Sequence, residues 1–273
     1  MSVEQPAPQG HRPLVVAHRG ASFEEPEHTL AAYRRAFANG ADGVECDVRL
    51  TADFHLVCVH DRRVNRTSNG AGFVSALELA RLEELDWASW KARGHHGETP
   101  ESDPERGRLL TLRRLLDTLI EQKQEIVTLI ETKHPTRHGA EVERTLVQAL
   151  RFFELDTGDQ PGRPQVRVMS FSRRALSRVH RLAPKVPLIQ LVEPAVPSIA
   201  LDGTLSTGVT RVGLHTRMLH RPKVISAYHR MGHEVCIYTV DEPDDVKRCV
   251  DLGVDVIITN RPRAVIDQLA GSG

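Results

Sequence analysis

Short apolar runs recur along the chain, and several of them end abruptly in charged or titratable residues. Leu14-Val15-Val16-Ala17 runs into His18-Arg19-Gly20. The same grammar returns at Val44-Glu45-Cys46-Asp47, at Leu56-Val57-Cys58-Val59-His60-Asp61 and at Val127-Thr128-Leu129-Ile130-Glu131-Thr132-Lys133. Runs of this length and β-branched content suit strands buried on both faces, as in a parallel sheet. The pattern predicts strands over 14–18, 43–48, 56–60, 126–131, 165–170, 187–192, 235–239 and 255–259. A weaker ninth run, 209–214, is compatible with a short extra strand or with a loop against the wall. Helical periodicity falls between the strands, over 29–39, 111–123, 139–153, 172–183, 221–231 and 243–252. Asp241 is placed to cap the last of these, and Pro243 suits its first turn. Strands alternating with helices make βαβ units, so the expected class is α/β, as a (β/α)₈ barrel.

Length agrees with that class, since 273 residues with 40% hydrophobic content match one barrel of roughly 250 residues. The first residues are polar and Pro-rich with no signal-peptide pattern, so 1–12 is expected to be a disordered tail and 13–270 the barrel. Between His60 and Thr111 the periodicity lapses. This stretch holds Asn69-Gly70-Ala71-Gly72, a helical run from Ser75 to Leu85, Trp87 and Trp90, and a polar segment from Gly94 to Gly107. It is far longer than a βα loop of roughly 2–6 residues. The expectation is an inserted subdomain at about 66–110, following the third strand on the active-site side and shaping substrate access.

Charge narrows the partners. Lys plus Arg equals Asp plus Glu at 36 each, which argues against nucleic acid or an anionic membrane as the main partner. No run approaches the roughly 18 apolar residues of a membrane span, so no stable membrane insertion is expected. Cys46, Cys58, Cys236 and Cys249 lack metal-type spacing and read as reduced, buried small hydrophobes of a cytoplasmic protein. Whether the chain forms a homo-oligomer is left open.

The charged strand ends carry the chemistry. Side chains alternate across a strand, so Glu45 shares a face with Asp47, and Glu131 with Lys133, while Val44, Cys46 and Val48 look the other way. Four polar groups thus converge at the carboxyl ends of the barrel strands. Carboxylates crowded there would repel one another and lose hydration, a cost that a divalent cation removes. Glu45, Asp47 and Glu131 are hard oxygen donors suited to Mg²⁺ or Ca²⁺. His18 and His60 can act as acid and base near neutral pH. Arg19 offers a planar fork and Lys133 a point charge for anionic oxygens. Together these types indicate phosphoryl transfer or phosphodiester hydrolysis on a small molecule. Tyr238 closes its strand facing the same mouth and is read as a substrate-binding residue. Elsewhere blander readings win: His95-His96 as an exposed pair, Arg173-Arg174 and Arg178 as a solvated helix face, and Trp87 and Trp90 as packing residues.

In order and spacing, a set of short strings resembles the glycerophosphodiester phosphodiesterase family over nearly the whole chain. They are His18-Arg19-Gly20; Pro26-Glu27-His28-Thr29-Leu30; Gly43-Val44-Glu45-Cys46-Asp47-Val48; His60-Asp61 with Arg66-Thr67-Ser68 and Gly70-Ala71-Gly72; Glu131-Thr132-Lys133; Ser170-Phe171-Ser172; and Gly253-Val254-Asp255 with Ile257-Ile258-Thr259. The resemblance implies a (β/α)₈ barrel with an inserted subdomain that cleaves glycerophosphodiesters to sn-glycerol 3-phosphate and an alcohol. By it, His18 and His60 are acid and base, Glu45, Asp47 and Glu131 bind a divalent metal, and Arg19 and Lys133 face the phosphate. Four positions depart from the family pattern: His28 where Asn is usual, Phe54 where Gly is common after Asp53, Tyr238 where Trp is frequent, and Asn260 where Asp is frequent. These bear on substrate preference. A lysophospholipid or other bulky diester is an alternative substrate on the same barrel, and a noncatalytic phosphate-binding barrel an alternative class; the latter predicts a lost ligand or histidine, and none is lost. Water and the glycerol 2-hydroxyl both remain candidates for the first nucleophile.

Overall fold

The structure, a computed structural model, describes residues 12–92, 105, 107–193 and 202–271. The expected tail and the His95-His96 pair lie outside the described residues.

The apolar runs become strands β1 (Leu14–His18), β2 (Gly43–Leu50), β3 (Leu56–Cys58), β4 (Val127–Thr132), β5 (Gln165–Ser170), β6 (Leu188–Val192), β7 (Arg211–His215), β8 (Glu234–Tyr238) and β9 (Val256–Thr259). Eight of them, β1, β2 and β4 to β9, pair in parallel, and β1 pairing with β2 closes the ring. Two expectations are corrected. The run at 56–60 is not a barrel strand: β3 lies antiparallel on β2, with Val48 opposite Cys58. Only residues 51–55 separate the two, and a parallel crossover needs a dozen residues or more. The eighth barrel strand is the weak ninth run, seated between β6 and β8. Its Gly213 obscures the apolar pattern for a packing reason, because a Cβ there would lie 2.5 Å from Leu191 Cδ2 in the barrel interior. The insertion therefore follows the third strand in chain order but the second strand of the barrel.

Helices α1 (Leu30–Ala38), α2 (Leu79–Glu83), α3 (Ser89–Ala92), α4 (Leu112–Glu121), α5 (Glu141–Phe152), α6 (Arg173–Leu182), α7 (Pro222–Arg230), α8 (Pro243–Asp251) and α9 (Pro262–Ala270), with short 3₁₀ turns at Val74–Ala76 and Thr216–His220, complete the described elements. Thr29, Thr111 and Ser172 cap α1, α4 and α6 through their side-chain oxygens, satisfying donors that helix starts leave free. Pro243 opens α8 as expected, but Asp241 does not cap it. Glu242 stands at that position without a side-chain bond, and Asp241 turns to the barrel mouth. Arg178 is likewise no solvated helix residue: with His134 it holds the fully buried Glu143, at 3.1 and 2.6 Å.

One apolar layer lies between barrel and helices, and a second fills the lumen with Val16, Leu129, Met169, Ile189, Leu191, Cys236 and Ile258. A separate cluster of Val57, Val59, Val64, Val74, Leu82, Leu85 and Trp87 seats the insertion on β3. All four cysteines are buried and unpaired. Among the described residues no helix is long and apolar enough to cross a membrane.

Candidate active site

The lumen-facing alternation of β2 carries Glu45, Asp47 and Arg49 up to the carboxyl end of the barrel, and β4 brings Glu131 alongside, in register with Asp47. One carboxylate oxygen from each of Glu45, Asp47 and Glu131 lies within 4.8 Å of the others, and all three residues are buried. Lys133 reaches back from the end of β4 to Glu131 Oε1 at 2.8 Å and Asp47 Oδ1 at 3.2 Å.

Arg19 sits just past β1 with φ +59°, which turns its backbone N–H onto Glu45 Oε2 at 3.0 Å. Gly20 follows with φ +80°, and a Cβ there would lie 2.6 Å from the Ala32 backbone. Glycine alone lets α1 press this close and still accepts the left-handed backbone. The Arg19 guanidinium donates to Glu27 Oε1 at 2.9 Å. Its Nε stands 3.1 Å from Asp47 Oδ2 without hydrogen-bond geometry, so that buried N–H is unpartnered. Glu45 Oε1 is also buried and unpartnered. A buried orphan acceptor and a buried orphan donor in one mouth are costly unless something binds there.

Charge in the mouth is uneven. Burial and the neighbouring Asp47 push Glu45 well above the ordinary carboxylate range, and the same two causes take Glu131 up to about 8. Asp47 is held far below that range despite its burial, because Lys133, His28 and Arg19 surround it. With all three ionised, the carboxylates would exceed the cations Arg19 and Lys133 by one charge, and burial resists that state by holding Glu45 and Glu131 toward their protonated forms. A divalent cation fits that donor set by charge, by its hard oxygens and by the orphaned Glu45 oxygen.

The two expected histidines flank this cluster. His18 Nε2 lies 4.0 Å from Glu45 Oε2, and its Nδ1 meets Asn260 Oδ1 at 2.8 Å. The amide of Asn260 has a fixed orientation, because its Nδ2 donates to Asp241 Oδ2 at 2.6 Å while its backbone N–H donates to Asp241 Oδ1. Asn260 Oδ1 is thus an acceptor, Nδ1 of His18 carries the proton, and Nε2 is left with its lone pair toward the mouth. Burial, reinforced by the charge of Arg19, lowers the His18 pKa to about 4. His60, beyond β3, meets the carboxylate Asp61 Oδ1 at 2.7 Å through Nδ1, and Asp61 is gripped in turn by Arg66. Burial lowers the His60 pKa as well, while Asp47 and Asp61 oppose the shift.

Tyr238 ends β8 at the lumen, edge-on to Phe171 and His215, and its hydroxyl donates to the Val192 carbonyl at 2.9 Å. It therefore presents a ring wall to the mouth. Several residues escaped the sequence reading. His28, buried with φ +59°, spans Asp47 Oδ2 and the Tyr33 hydroxyl, each at 2.9 Å. Glu27 joins Arg19 to Arg66, and Arg49 donates from Nε to the His60 carbonyl at 2.9 Å. Arg49 was legible, because the every-second-residue rule that selects Glu45 and Asp47 reaches it next.

A closed parallel barrel with a carboxylate, arginine, lysine and histidine mouth defines a phosphate-ester enzyme site. The sequence model of the glycerophosphoryl diester phosphodiesterase family matches residues 18–264. A relative named probable glycerophosphodiester phosphodiesterase 1, from Mycobacterium tuberculosis, is 42% identical over 258 residues, spanning 93% of this chain and 90% of its own. A glycerophosphodiester phosphodiesterase of Caldanaerobacter subterraneus is 32% identical over 95% of this chain and 99% of its own. Among solved structures, an Oleispira antarctica phosphodiesterase in complex with the product sn-glycerol-3-phosphate superposes with a TM-score of 0.79 at 24% identity, covering 94% of this chain and 97% of its own. The chain belongs to the glycerophosphoryl diester phosphodiesterase family and is an enzyme of that activity.

Proposed function

We propose that this chain hydrolyses glycerophosphodiesters to sn-glycerol 3-phosphate and a free alcohol, with His18 as base, His60 as acid, and Glu45, Asp47 and Glu131 holding Mg²⁺ or Ca²⁺. The observation that carries the proposal is the paired deficit in the mouth: a buried carboxylate oxygen without a partner beside a buried guanidinium N–H without one. The first asks for a cation and the second for an anion. Product binding in the Oleispira relative supports the same substrate class.

The residues divide the work by their surroundings. Arg19 Nε and Lys133 Nζ offer charge-assisted donors for the nonbridging oxygens of the diester. Glu45, Asp47 and Glu131 would hold a divalent cation, which would supply further positive charge beside the diester. His18, neutral and fixed with its Nε2 lone pair toward the mouth, accepts a proton from the attacking hydroxyl. As the bond from phosphorus to the alcohol oxygen breaks, His60 gives that oxygen its proton, and the Asp61 carboxylate steadies the imidazolium beforehand. Tyr238 stands near Glu131, with Phe171 edge-on to its ring. The same apparatus serves water or the glycerol 2-hydroxyl as nucleophile; in the second case a cyclic phosphate builds up when the following hydrolysis is slowed.

Leaving-group chemistry separates the two histidines. His60→Ala is expected to slow glycerophosphocholine turnover by about 10²–10⁴-fold yet to spare a glycerophosphodiester of p-nitrophenol, whose phenolate needs no proton. His18→Ala should slow both. Equal losses on both substrates for His60→Ala would remove the acid assignment, and near-normal turnover in either variant would remove its role altogether.

A further inference from the structure

Beside the mouth, on the His60 side, lies a shallow, open surface cleft that encloses only about 20 Å³, lined by Arg49, Arg62, Phe73, Lys133, Thr136 and Arg137 among others. Lys133 belongs to both places, so the cleft begins where the phosphate site ends. Three chain segments build it: the end of β2, the start of the insertion and the loop after β4. Lys133 is paired with Glu131 and Asp47, so the cleft's other positive charge comes from Arg49, Arg62 and Arg137. Arg49 is largely buried and makes one hydrogen bond, to the His60 carbonyl. Burial lowers its pKa, the nearby carboxylates Asp47, Glu131 and Asp61 oppose that shift, and Arg62 adds to it. Among the described residues, no carboxylate lies within ion-pair distance of Arg49, Arg62 or Arg137, whereas Arg19, Arg66, Arg178 and Arg211 all have one. Phe73 holds the region in place, with the guanidinium of Arg63 stacked at 4.0 Å from its ring centroid. In a chain whose charges cancel overall, Arg62 and Arg137, exposed and without a carboxylate at ion-pair distance, make the rim of this cleft locally positive.

We propose that this cleft receives the leaving alcohol and selects alcohols that carry a phosphate monoester, such as a phosphorylated polyol, over neutral or cationic ones. The inference rests on the reading of the site above, because the cleft adjoins His60, the group that protonates the departing oxygen. A substrate spanning Lys133 therefore lays its alcohol portion against Arg49, Arg62 and Arg137. Guanidinium groups bind phosphate oxygens through paired N–H donors, and clustered like charge repels a quaternary ammonium. A phosphate seated there also relieves the mutual repulsion of Arg49 and Arg62.

Three substrates measure this on the full chain with divalent cation supplied: glycerophosphoinositol 4-phosphate, glycerophosphoinositol and glycerophosphocholine. The first two differ only in the phosphate. We expect kcat/KM to fall in that order, with about a tenfold advantage for the phosphorylated over the plain inositol substrate at low salt, shrinking at high salt. Arg62→Ala and Arg137→Ala, both at exposed positions, should each cut that advantage severalfold. Arg230→Ala, at the carboxyl end of α7 and away from the cleft, should leave it intact. Equal kcat/KM for the two inositol substrates, or an advantage that persists in both cleft variants, overturns the inference while leaving the enzyme reading intact. No turnover of any of the three substrates would overturn the enzyme reading itself.

Discussion

A neutral amide and a carboxylate face the two histidines, and that contrast is enough to give them different roles. Asn260 accepts from His18 and favours its protonated form less than a carboxylate would, while Asp61 stabilises a charged His60. Neutral His18 is the base, so activity should fall as pH drops through its pKa of about 4. Replacing Asn260 by Asp puts a carboxylate against Nδ1–H, which favours the imidazolium and raises that pKa. The acid limb of the kcat/KM profile should then move to higher pH, and a limb that stays in place would separate Asn260 from His18. Glu27 gives a stability counterpart. Although burial pushes its pKa up, Arg66 and Arg19 hold it at about 2, below its ordinary value of 4.5. A depressed carboxylate stabilises the fold above pH 4.5, and that contribution fades as pH falls toward 2; at about 1.4 kcal/mol per unit it reaches at most ~3 kcal/mol. Urea midpoints of wild type and Glu27→Gln should differ most near pH 6, draw together below pH 4.5 and converge only as pH approaches 2. Of these residues, the sequence displayed His18 and His60 at strand ends. Asp241 read there as a helix cap and Asn260 as a departure from the family pattern, since their function lies in a hydrogen-bond direction that no spacing encodes. Phe54 is a similar case: it takes the left-handed turn at φ +65° that its position calls for, with its ring edge-on to His138.

Strand ends were legible wherever an apolar run met a charge, and connections were where legibility failed. The hairpin from β2 to β3 was concealed by a run that looks like any other strand, although the five residues between them already rule out a crossover. Barrel strand β7 was masked by Gly213, whose missing side chain makes room for Leu191. Helix α9 went unpredicted. The same logic of close approach applies at Gly20, where β1 hands over to α1. Gly20→Ala forces a Cβ to 2.6 Å from the Ala32 backbone at φ +80°. That substitution should cost about 2–3 kcal/mol, visible as a Tm lower by roughly 4–12 °C, given 2–4 °C per kcal/mol for a domain of this size. An unchanged Tm would mean that α1 is free to withdraw.

At the scale of the whole molecule, charge is balanced overall and concentrated locally. The barrel closes through β1 and β2, and that closure brings His18 and Arg19 against Glu45 and Asp47 across a single strand pair. Residues far apart in the chain thus form one mouth with three crowded carboxylates and two orphaned buried groups. The central claim is that this deficit is filled by a divalent cation and a diester together. The most direct measurement is release of sn-glycerol 3-phosphate from glycerophosphocholine before and after chelation, followed by readdition of Mg²⁺ or Ca²⁺. Loss of turnover on chelation and its return with either ion is the expected result, with Glu45→Gln failing to recover. Turnover that persists undiminished in chelator would contradict the account.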